Sequence, residues 1–318
     1  MSIVRRIRSY LYRNSEYLQY LWLKREWGKY KKMAVDISDE EYAFDKYYHR
    51  TGRKLNLDAP KTYDDKLWWL KIHYKDNLMT VCSDKYLVRD YVSECGLGEI
   101  LNDLYGVFDN AKEINFNELP ERCFLKCNHT SGTNIIFDKK KSFNKHSFIR
   151  KFNFMLKQNY YWVGREWNYK NIKPRIVAEK ILENTDGTPL YDYRIMCFNG
   201  KAHYMMMDID TCSDQGTHRV DAKRNIYNRN LEKLDVIFTR EQHSIECPLT
   251  KDVFDKMCNY AEILCAPFPH ARCDFYYINN KIIFGEITFF HAGACSDIKP
   301  REFEIELGNL IELPQTKE

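Results

Sequence analysis

No run of about 18 apolar residues, the length a helix needs to cross a bilayer, occurs in this 318-residue sequence. Its opening stretch, MSIVRRIRSYLYR, sets Arg5, Arg6, Arg8 and Arg13 where a signal peptide needs an unbroken apolar core. The expectation is a cytoplasmic chain, neither exported by that route nor anchored by a span. There are eleven cysteines, an odd number, and no pair has the C-x-x-C spacing of zinc ribbons and thioredoxin-like motifs. The nearest pair, Cys123 and Cys127, brackets Phe124, Leu125 and Lys126 in a strand-like run. Free thiols in a reducing compartment are the simplest account. The Walker spacing and the G-x-G-x-x-G fingerprint are both missing, which excludes the two commonest glycine-rich phosphate sites.

Hydrophobic residues make up 44% and charged residues 30%, a balance that supports a sizeable core, and the length suits two lobes around a shared cleft. The net charge of +4 is unevenly spread. Residues 1–33 hold nine Lys/Arg against two Glu, which is +7 and leaves −3 for the remainder. With the basic excess confined there and most tyrosines in core-like patterns, no nucleic-acid partner is expected. Ile3, Ile7, Tyr10 and Leu11 recur at helical spacing, and Leu18, Leu21 and Trp22 continue the stripe. Such a basic amphipathic helix either packs on the body or lies on anionic lipid at the inner membrane face, with Trp22 and Trp27 at headgroup level.

Residues 42–77 read as aromatic-rich helix broken at Asp58-Ala59-Pro60, with a start at Thr62-Tyr63-Asp64-Asp65. Ser83 or Asp84 caps a further helix that Gly96 closes. Past Leu119-Pro120 the texture changes to short strands: RCFLKC, PRIVAEKIL, DYRIMCF, KAHYMMMDI, ARCDFYYI and KIIFGEITFF. The implied class is α+β, with antiparallel sheets and flanking helices. Its expected divisions are a basic helical segment over 1–40, a mainly helical lobe over 41–120, and a strand-rich body over 121–318.

The last two strand-like runs are joined at Asn279-Asn280-Lys281, a hairpin signal. A three-residue loop would set Asp274 opposite Glu286, whereas a two-residue Asn-Asn turn would send them to opposite faces. In the first register Arg272 and Thr288 share their face. Two carboxylates about 5 Å apart repel by about 3 kcal/mol at an effective dielectric near 20, so a cation is expected between them. Magnesium suits, since it takes one or two carboxylates and completes its shell with water and phosphates. A surface hairpin in which Arg272 neutralises its neighbours is the alternative.

Lys126 ends a compact strand and precedes Asn128-His129-Thr130-Ser131-Gly132-Thr133-Asn134, a loop whose small residues can turn backbone N–H groups toward an anion. Val177-Ala178-Glu179-Lys180-Ile181-Leu182 reads as a buried strand whose edge backbone could read an adenine rim, or whose Glu179 pairs with a nearby lysine.

In this order, Ser83-Asp84-Lys85, the Lys126 loop, Glu179, Asp192-Tyr193-Arg194 before Phe198-Asn199-Gly200, Arg272-Cys273-Asp274 and Phe284-Gly285-Glu286-Ile287-Thr288 resemble the ATP-grasp superfamily. More narrowly the chain resembles the TupA-like branch, named for a teichuronopeptide biosynthesis protein, from about Tyr47 to Leu313. The resemblance implies an ATP-grasp fold with ATP and Mg²⁺ as cofactors. Lys85 and Lys126 would contact the nucleotide, Ser131 and Gly132 would lie in the loop over the phosphates, and Glu179, Lys180 and Leu182 would border the adenine. Asp274 and Glu286 would hold magnesium, with Thr288 where many relatives have Asn, and Arg272 and Arg194 would steady phosphate or an acyl-phosphate. Thr130 stands where the family loop usually has its first Gly, so left-handed backbone angles there are costly.

The resemblance further implies a carboxylate–amine ligase working through an acyl-phosphate. Its expected role is to attach an amino acid or amine to a sugar carboxylate, free or lipid-linked, in capsule or cell-wall polysaccharide assembly. Three other readings compete: a glycosyltransferase using Asp208-Ile209-Asp210, a phosphotransferase using the same ATP site, and a non-catalytic scaffold of a polysaccharide assembly complex. The aromatic residues Tyr160, Tyr161, Trp162 and Trp167 could stack on sugar rings or pack a helix against the sheet.

Overall fold

Helix starts are fixed by local chemistry. Ser38 and Thr62 each form a reciprocal capping box, with Glu41 and Asp65 three residues on, so two otherwise unpartnered backbone donors are satisfied at each start. The computed structural model describes residues 15–212, 219 and 221–315. The expected stripe at Ile3, Ile7, Tyr10 and Leu11 lies outside them.

The first half is helical: α1 (Glu16–Asp36), α2 (Asp39–Thr51), α3 (Tyr63–His73), α4 (Asn77–Ser83) and α5 (Val88–Glu94). On α1, Leu23, Trp27 and Tyr30 pack inward, while Leu18 and Leu21 are exposed. The helix read as starting at Ser83 or Asp84 begins later, at Val88, because the Asp84 carboxylate accepts from the amides of Tyr86 and Leu87 and holds a turn there.

Two antiparallel sheets follow. The smaller has β1 (Leu104–Phe108), β2 (Arg122–Cys127), β3 (Asn134–Asp138) and β4 (Ile176–Glu179), in the order β1-β4-β2-β3. Between its strands run α6 (Lys145–Met155) and the short α7 (Tyr161–Gly164). The larger sheet has β5 (Asp192–Phe198), β6 (Lys201–Ile209), β7 (Lys223–Tyr227), β8 (Lys233–Leu234), β10 (His270–Ile278) and β11 (Lys281–Thr288), in the order β11-β10-β5-β6-β7-β8. A two-stranded pair is made by β9 (Ile237–Phe238) and β12 (Ile298–Lys299). Helices α8 (Lys251–Cys265) and α9 (Arg301–Leu310) complete the α+β fold.

Each sheet has its own core. The larger packs α8 on one side with Phe254, Met257, Ala261 and Leu264, and the helices α2 to α5 bury Tyr47, Leu67, Trp68 and Val92 in the same core. The smaller sheet closes over Phe148, Phe152 and Met155 of α6 and over Trp27 of α1.

The strand at Ile176–Glu179, read from sequence as offering an edge, is internal. β1 pairs with it on one side and β2 on the other, so its ladder groups are consumed up to Glu179.

α9 crosses the start of α3 at Gly308, where an added Cβ would fall on the backbone of Lys61 and Thr62. Backbone cannot swing aside as a side-chain tip can. Gly308→Ala is therefore expected to destabilise the fold by about 1–3 kcal/mol or more, read as a lower thermal midpoint; an unchanged midpoint would refute this packing.

Candidate active site

The hairpin resolves the register differently from either sequence alternative. Asn279 and Asn280 form a two-residue turn, both at positive φ (48° and 63°), and Ile278 pairs with Lys281. Asp274 nonetheless faces Glu286, because the register shifts by one residue between Asp274 and Phe275, leaving Gly285 as the extra residue of a bulge. A Cβ at 285 would stand 3.0 Å from the Asp274 carbonyl oxygen, which is why the bulge falls on glycine.

Four residues form the polar row. Arg272 grips Asp274 as a fork, with Nε and Nη2 each 2.6 Å from a carboxylate oxygen. Arg272 Nη2 also donates to Thr288 Oγ1 at 3.1 Å, and that hydroxyl donates to Glu286 Oε1 at 3.0 Å. Glu286 is the open member, with 47% of its side chain exposed, whereas Asp274 is buried. Burial in the cleft would raise the Glu286 carboxyl, but Lys85, Arg272 and Arg194 hold it below its usual range. It is therefore ionised at neutral pH.

Beneath this row lies a network that the motifs did not reveal. Arg194 Nε is 3.3 Å from Asp208 and 3.6 Å from Asp274. Arg224 takes both oxygens of Asp208, at 2.5 and 2.6 Å, and Arg240 adds a bond of 2.7 Å to the same carboxylate. His291 sits between two guanidiniums, with Arg272 Nη1 2.5 Å from Nδ1 and Arg224 Nη1 2.9 Å from Nε2. Burial, then the surrounding arginines, push its pKa well below the ordinary histidine value, so the ring is neutral. A neutral imidazole accepts at one nitrogen only, so it satisfies one of those two arginines. Asp208, the first residue of the candidate D-x-D pair, is thus saturated by guanidinium donors, while Asp210 is exposed and 4.0 Å from Arg219. The pair does not present two free carboxylates to one ion.

Across the cleft, Lys126 and Glu179 form an ion pair of 2.7 Å on adjacent strands of the smaller sheet. Lys85 reaches the same place from the turn before α5, its Nζ 2.8 Å from the Thr130 carbonyl. Burial lowers the Lys85 pKa, with Glu286 the leading opposing charge. Asn128 is the staple. Its side-chain amide donates to Asp84 at 2.8 Å and to the Lys173 carbonyl, its Oδ1 accepts from the Arg175 amide, and its carbonyl accepts from the Lys85 amide.

In the loop itself the left-handed residue is Gly132, at φ 77°, and Thr130 is not among the positive-φ residues. The expected backbone cost at Thr130 therefore does not arise. Ser131 and Gly132 are exposed at the loop tip, and His129 is buried with its pKa pushed down to about 4 by desolvation.

One narrow cleft is lined by Lys85, Val88, Lys126, Glu179, Phe284 and Gly285, together with Leu101 and Asn102. The candidates Lys85, Lys126 and Glu179 thus meet the β11 strand that carries Glu286 and Thr288. Lys180 is different: its ammonium pairs with Asp103 on the outside, its amide donates to the Asp103 carbonyl, and its own carbonyl accepts from Asn102. Leu182 is partly buried beyond the end of β4.

Asp274, Glu286 and Thr288 present oxygen donors, the chemistry a hard cation needs. Among the described residues no cluster of three or more His, Cys, Asp or Glu forms an all-protein cage. Of the hard cations, magnesium takes one or two carboxylates and completes its shell with water and phosphates, so it fits a set in which Asp274 also accepts from Arg272.

A family model described as TupA-like ATPgrasp matches residues 65–312. No curated protein sequence matches significantly. Among solved structures, an L-amino acid ligase from Bacillus licheniformis is similar at 12% identity and a TM-score of 0.44, over 68% of this chain and 45% of that one. A D-alanine–D-alanine ligase from Bacillus anthracis complexed with ATP is 12% identical at 0.40, over 71% and 63%. The corresponding ligase from Helicobacter pylori is 14% identical at 0.39, over 74% and 60%. The chain thus spans 45–63% of the length of these solved structures. Among the described residues no helix is long and apolar enough to cross a membrane.

Proposed function

This chain belongs to the TupA-like ATP-grasp family, and from that premise we propose that it is an ATP- and magnesium-dependent carboxylate–amine ligase. The observation that carries the proposal is a cleft in which Lys85, Lys126 and Glu179 of one wall meet Phe284 and Gly285 of the other, next to Glu286 on the same strand. Lysines and a glycine-bearing loop suit a triphosphate, and the carboxylates opposite suit the cation that accompanies it.

In this reading Lys85 and Lys126 hold the phosphates, with Ser131 and Gly132 closing over them. Glu179 and the chain beyond it, toward Leu182, border the base, and the Lys180 side chain plays no part because it points outward to Asp103. Asp274 and Glu286 hold magnesium, with Thr288 beside them. Bound there, magnesium would supply charge neutralisation of the nucleotide phosphates. Arg272 and Arg194 steady the phosphoryl group as it moves to a substrate carboxylate. The products are ADP, phosphate and an amide. The carboxylate, in the finer form of the proposal, belongs to a sugar of a capsular or cell-wall glycan, and the amine to an amino acid or related compound.

Calorimetric titration tests the reading. A non-hydrolysable ATP analogue is expected to bind the wild type only with magnesium present, and Lys85→Met to weaken it by about tenfold or more, the loss of one charge-assisted contact. Binding of UDP-sugars in preference to the analogue would overturn the ligase and favour a glycosyltransferase.

A further inference from the structure

Helix α1 is held against the body by one side only. Asn144 donates to the Glu16 carboxylate at 2.7 Å, the Tyr20 ring meets Phe154 edge-to-face at 5.7 Å, the Trp27 ring lies 6.4 Å from that of Tyr160, and Arg165 donates to the Met33 carbonyl at 2.7 Å. These contacts run from the first turn of the helix to the last, so its rotation about its own axis is fixed. Leu23, Trp27 and Tyr30 belong to the core of the smaller sheet. Trp27, only 6% exposed, is thus turned away from any surface on which the helix could lie, contrary to the expectation from sequence.

The helical period decides what the opposite side carries. Leu18, Trp22, Arg25, Lys29 and Lys32 follow one another at steps of four and three, which sets them in one line, and Leu21 lies beside it. The line is about 21 Å long, at about 1.5 Å per residue. Leu18, Leu21 and Trp22 are 38%, 42% and 51% exposed, and the three cations are exposed as well. The side chains of Arg25 and Lys32 make no hydrogen bond, ion pair or ring contact among the described residues. Lys29 pairs with Glu26 at 2.6 Å. No acidic residue stands in the line before Asp36, where the helix ends. One face therefore presents an apolar half followed by a cationic half.

That combination narrows the occupant. A nucleic acid would attract the cations and leave the leucines in water. An acidic protein would have to offer a groove, because the side of a single helix is convex. An anionic bilayer interface yields to a convex helix, takes the apolar side chains out of water and attracts the cations at the same time. The charge of the whole chain favours the same orientation: residues 1–33 carry +7 and the remainder −3, so an anionic surface draws this end in and repels the rest. Among the described residues no helix is long and apolar enough to span a bilayer, so the contact is with its surface.

We propose that the outward face of α1 docks the protein on an anionic phospholipid surface, with Leu18, Leu21 and Trp22 seated at headgroup level and Arg25, Lys29 and Lys32 against lipid phosphates. The proposal is independent of the ligase reading, and its failure leaves that reading in place.

The test is cosedimentation of the full chain with vesicles of phosphatidylcholine alone, or of phosphatidylcholine and phosphatidylglycerol in equal parts. The wild type is compared with the double variants Arg25→Gln/Lys32→Gln and Leu18→Gln/Leu21→Gln. The altered side chains are exposed and glutamine is a good helix former, so the thermal midpoints of both variants should match that of the wild type. Anionic vesicles are expected to bring down the wild type, and neutral vesicles to leave it in solution. The charge variant should bind anionic vesicles about twentyfold more weakly, about fivefold for each cation lost. The leucine variant should bind them about tenfold more weakly, through the apolar area it no longer buries. A wild type that stays in solution with anionic vesicles, or sediments equally with neutral ones, overturns the proposal. Binding that either variant leaves unchanged overturns it too: attraction without the leucines indicates an acidic soluble partner, and attraction without the cations an uncharged apolar one.

Discussion

Glu286→Gln is expected to lower ATP-dependent turnover by about a hundredfold or more, the order lost when one preorganised charge is removed from a transition state. The same change should weaken the magnesium–nucleotide analogue in calorimetry. The expectation follows from an asymmetry between the two facing carboxylates. Asp274 is buried and spoken for by Arg272, whereas Glu286 is half exposed and its one hydrogen bond comes from Thr288. Lys85, Arg272 and Arg194 keep it ionised against the raising effect of burial. Glutamine matches its shape and removes the charge those groups face. Because Glu286 is the exposed member, the thermal midpoint should move little. Asp274→Asn is a less clean probe, since it also strips Arg272 of a bidentate partner in a buried place and should cost stability as well as activity. Full turnover in Glu286→Gln would remove Glu286 from the site.

The largest effect on stability is expected at Arg224. Asp208 and Arg224 are almost wholly buried and joined by two bonds of 2.5 and 2.6 Å. Removing one partner of such a pair leaves an uncompensated charge, which costs about 3–5 kcal/mol. Arg194 and Arg240 also touch Asp208, so the cost of Arg224→Met should lie toward the lower figure. For a chain of this size that is a fall of about 4–5 °C in the thermal midpoint. The pH dependence has a definite sign. Burial would raise the Asp208 carboxyl, but Arg224, then Arg194 and Arg240, hold it well below the usual carboxylate range. A depressed folded-state pKa stabilises the protein above the unfolded value of about 3.9, and that contribution is lost as pH falls toward the folded value. Without Arg224 the carboxyl protonates at higher pH, so acid unfolding of Arg224→Met should begin earlier in a descending pH series. Coincident acid-unfolding curves for mutant and wild type would show that Arg224 does not set the Asp208 charge.

That network also explains why part of the site was hidden in the sequence. Arg224, Arg240, Asp208 and His291 come from two strands, a bend and a short 3-10 turn, at spacings that match no short motif. Their only local trace is a charged residue inside an apolar run, as in Met205-Met206-Met207-Asp208. Such a run says that a buried charge needs a partner, and the pairing of β6 with β7 supplies it by setting Asp208 opposite Arg224.

What the sequence determined by itself was whatever depends on neighbours along the chain. The capping box at Thr62 follows from side chains three residues apart. The strand runs follow from alternation and β-branched content, and the hairpin between the last two from Asn279 and Asn280, residues that tolerate positive φ, although the loop length stayed open between two residues and three. The motif order was likewise enough to mark Lys85, Lys126, Asp274 and Glu286 as one candidate set. Tertiary structure decided what depends on the facing strand. Turn length alone would have separated Asp274 from Glu286, and the bulge at Gly285 reunites them because residue 285 can approach the Asp274 backbone without a side chain. Strand β4 became internal when β1, which carries no strong signal, paired with it. Register and partner choice are set by energies summed over a whole sheet face, so they are fixed only when both strands are present.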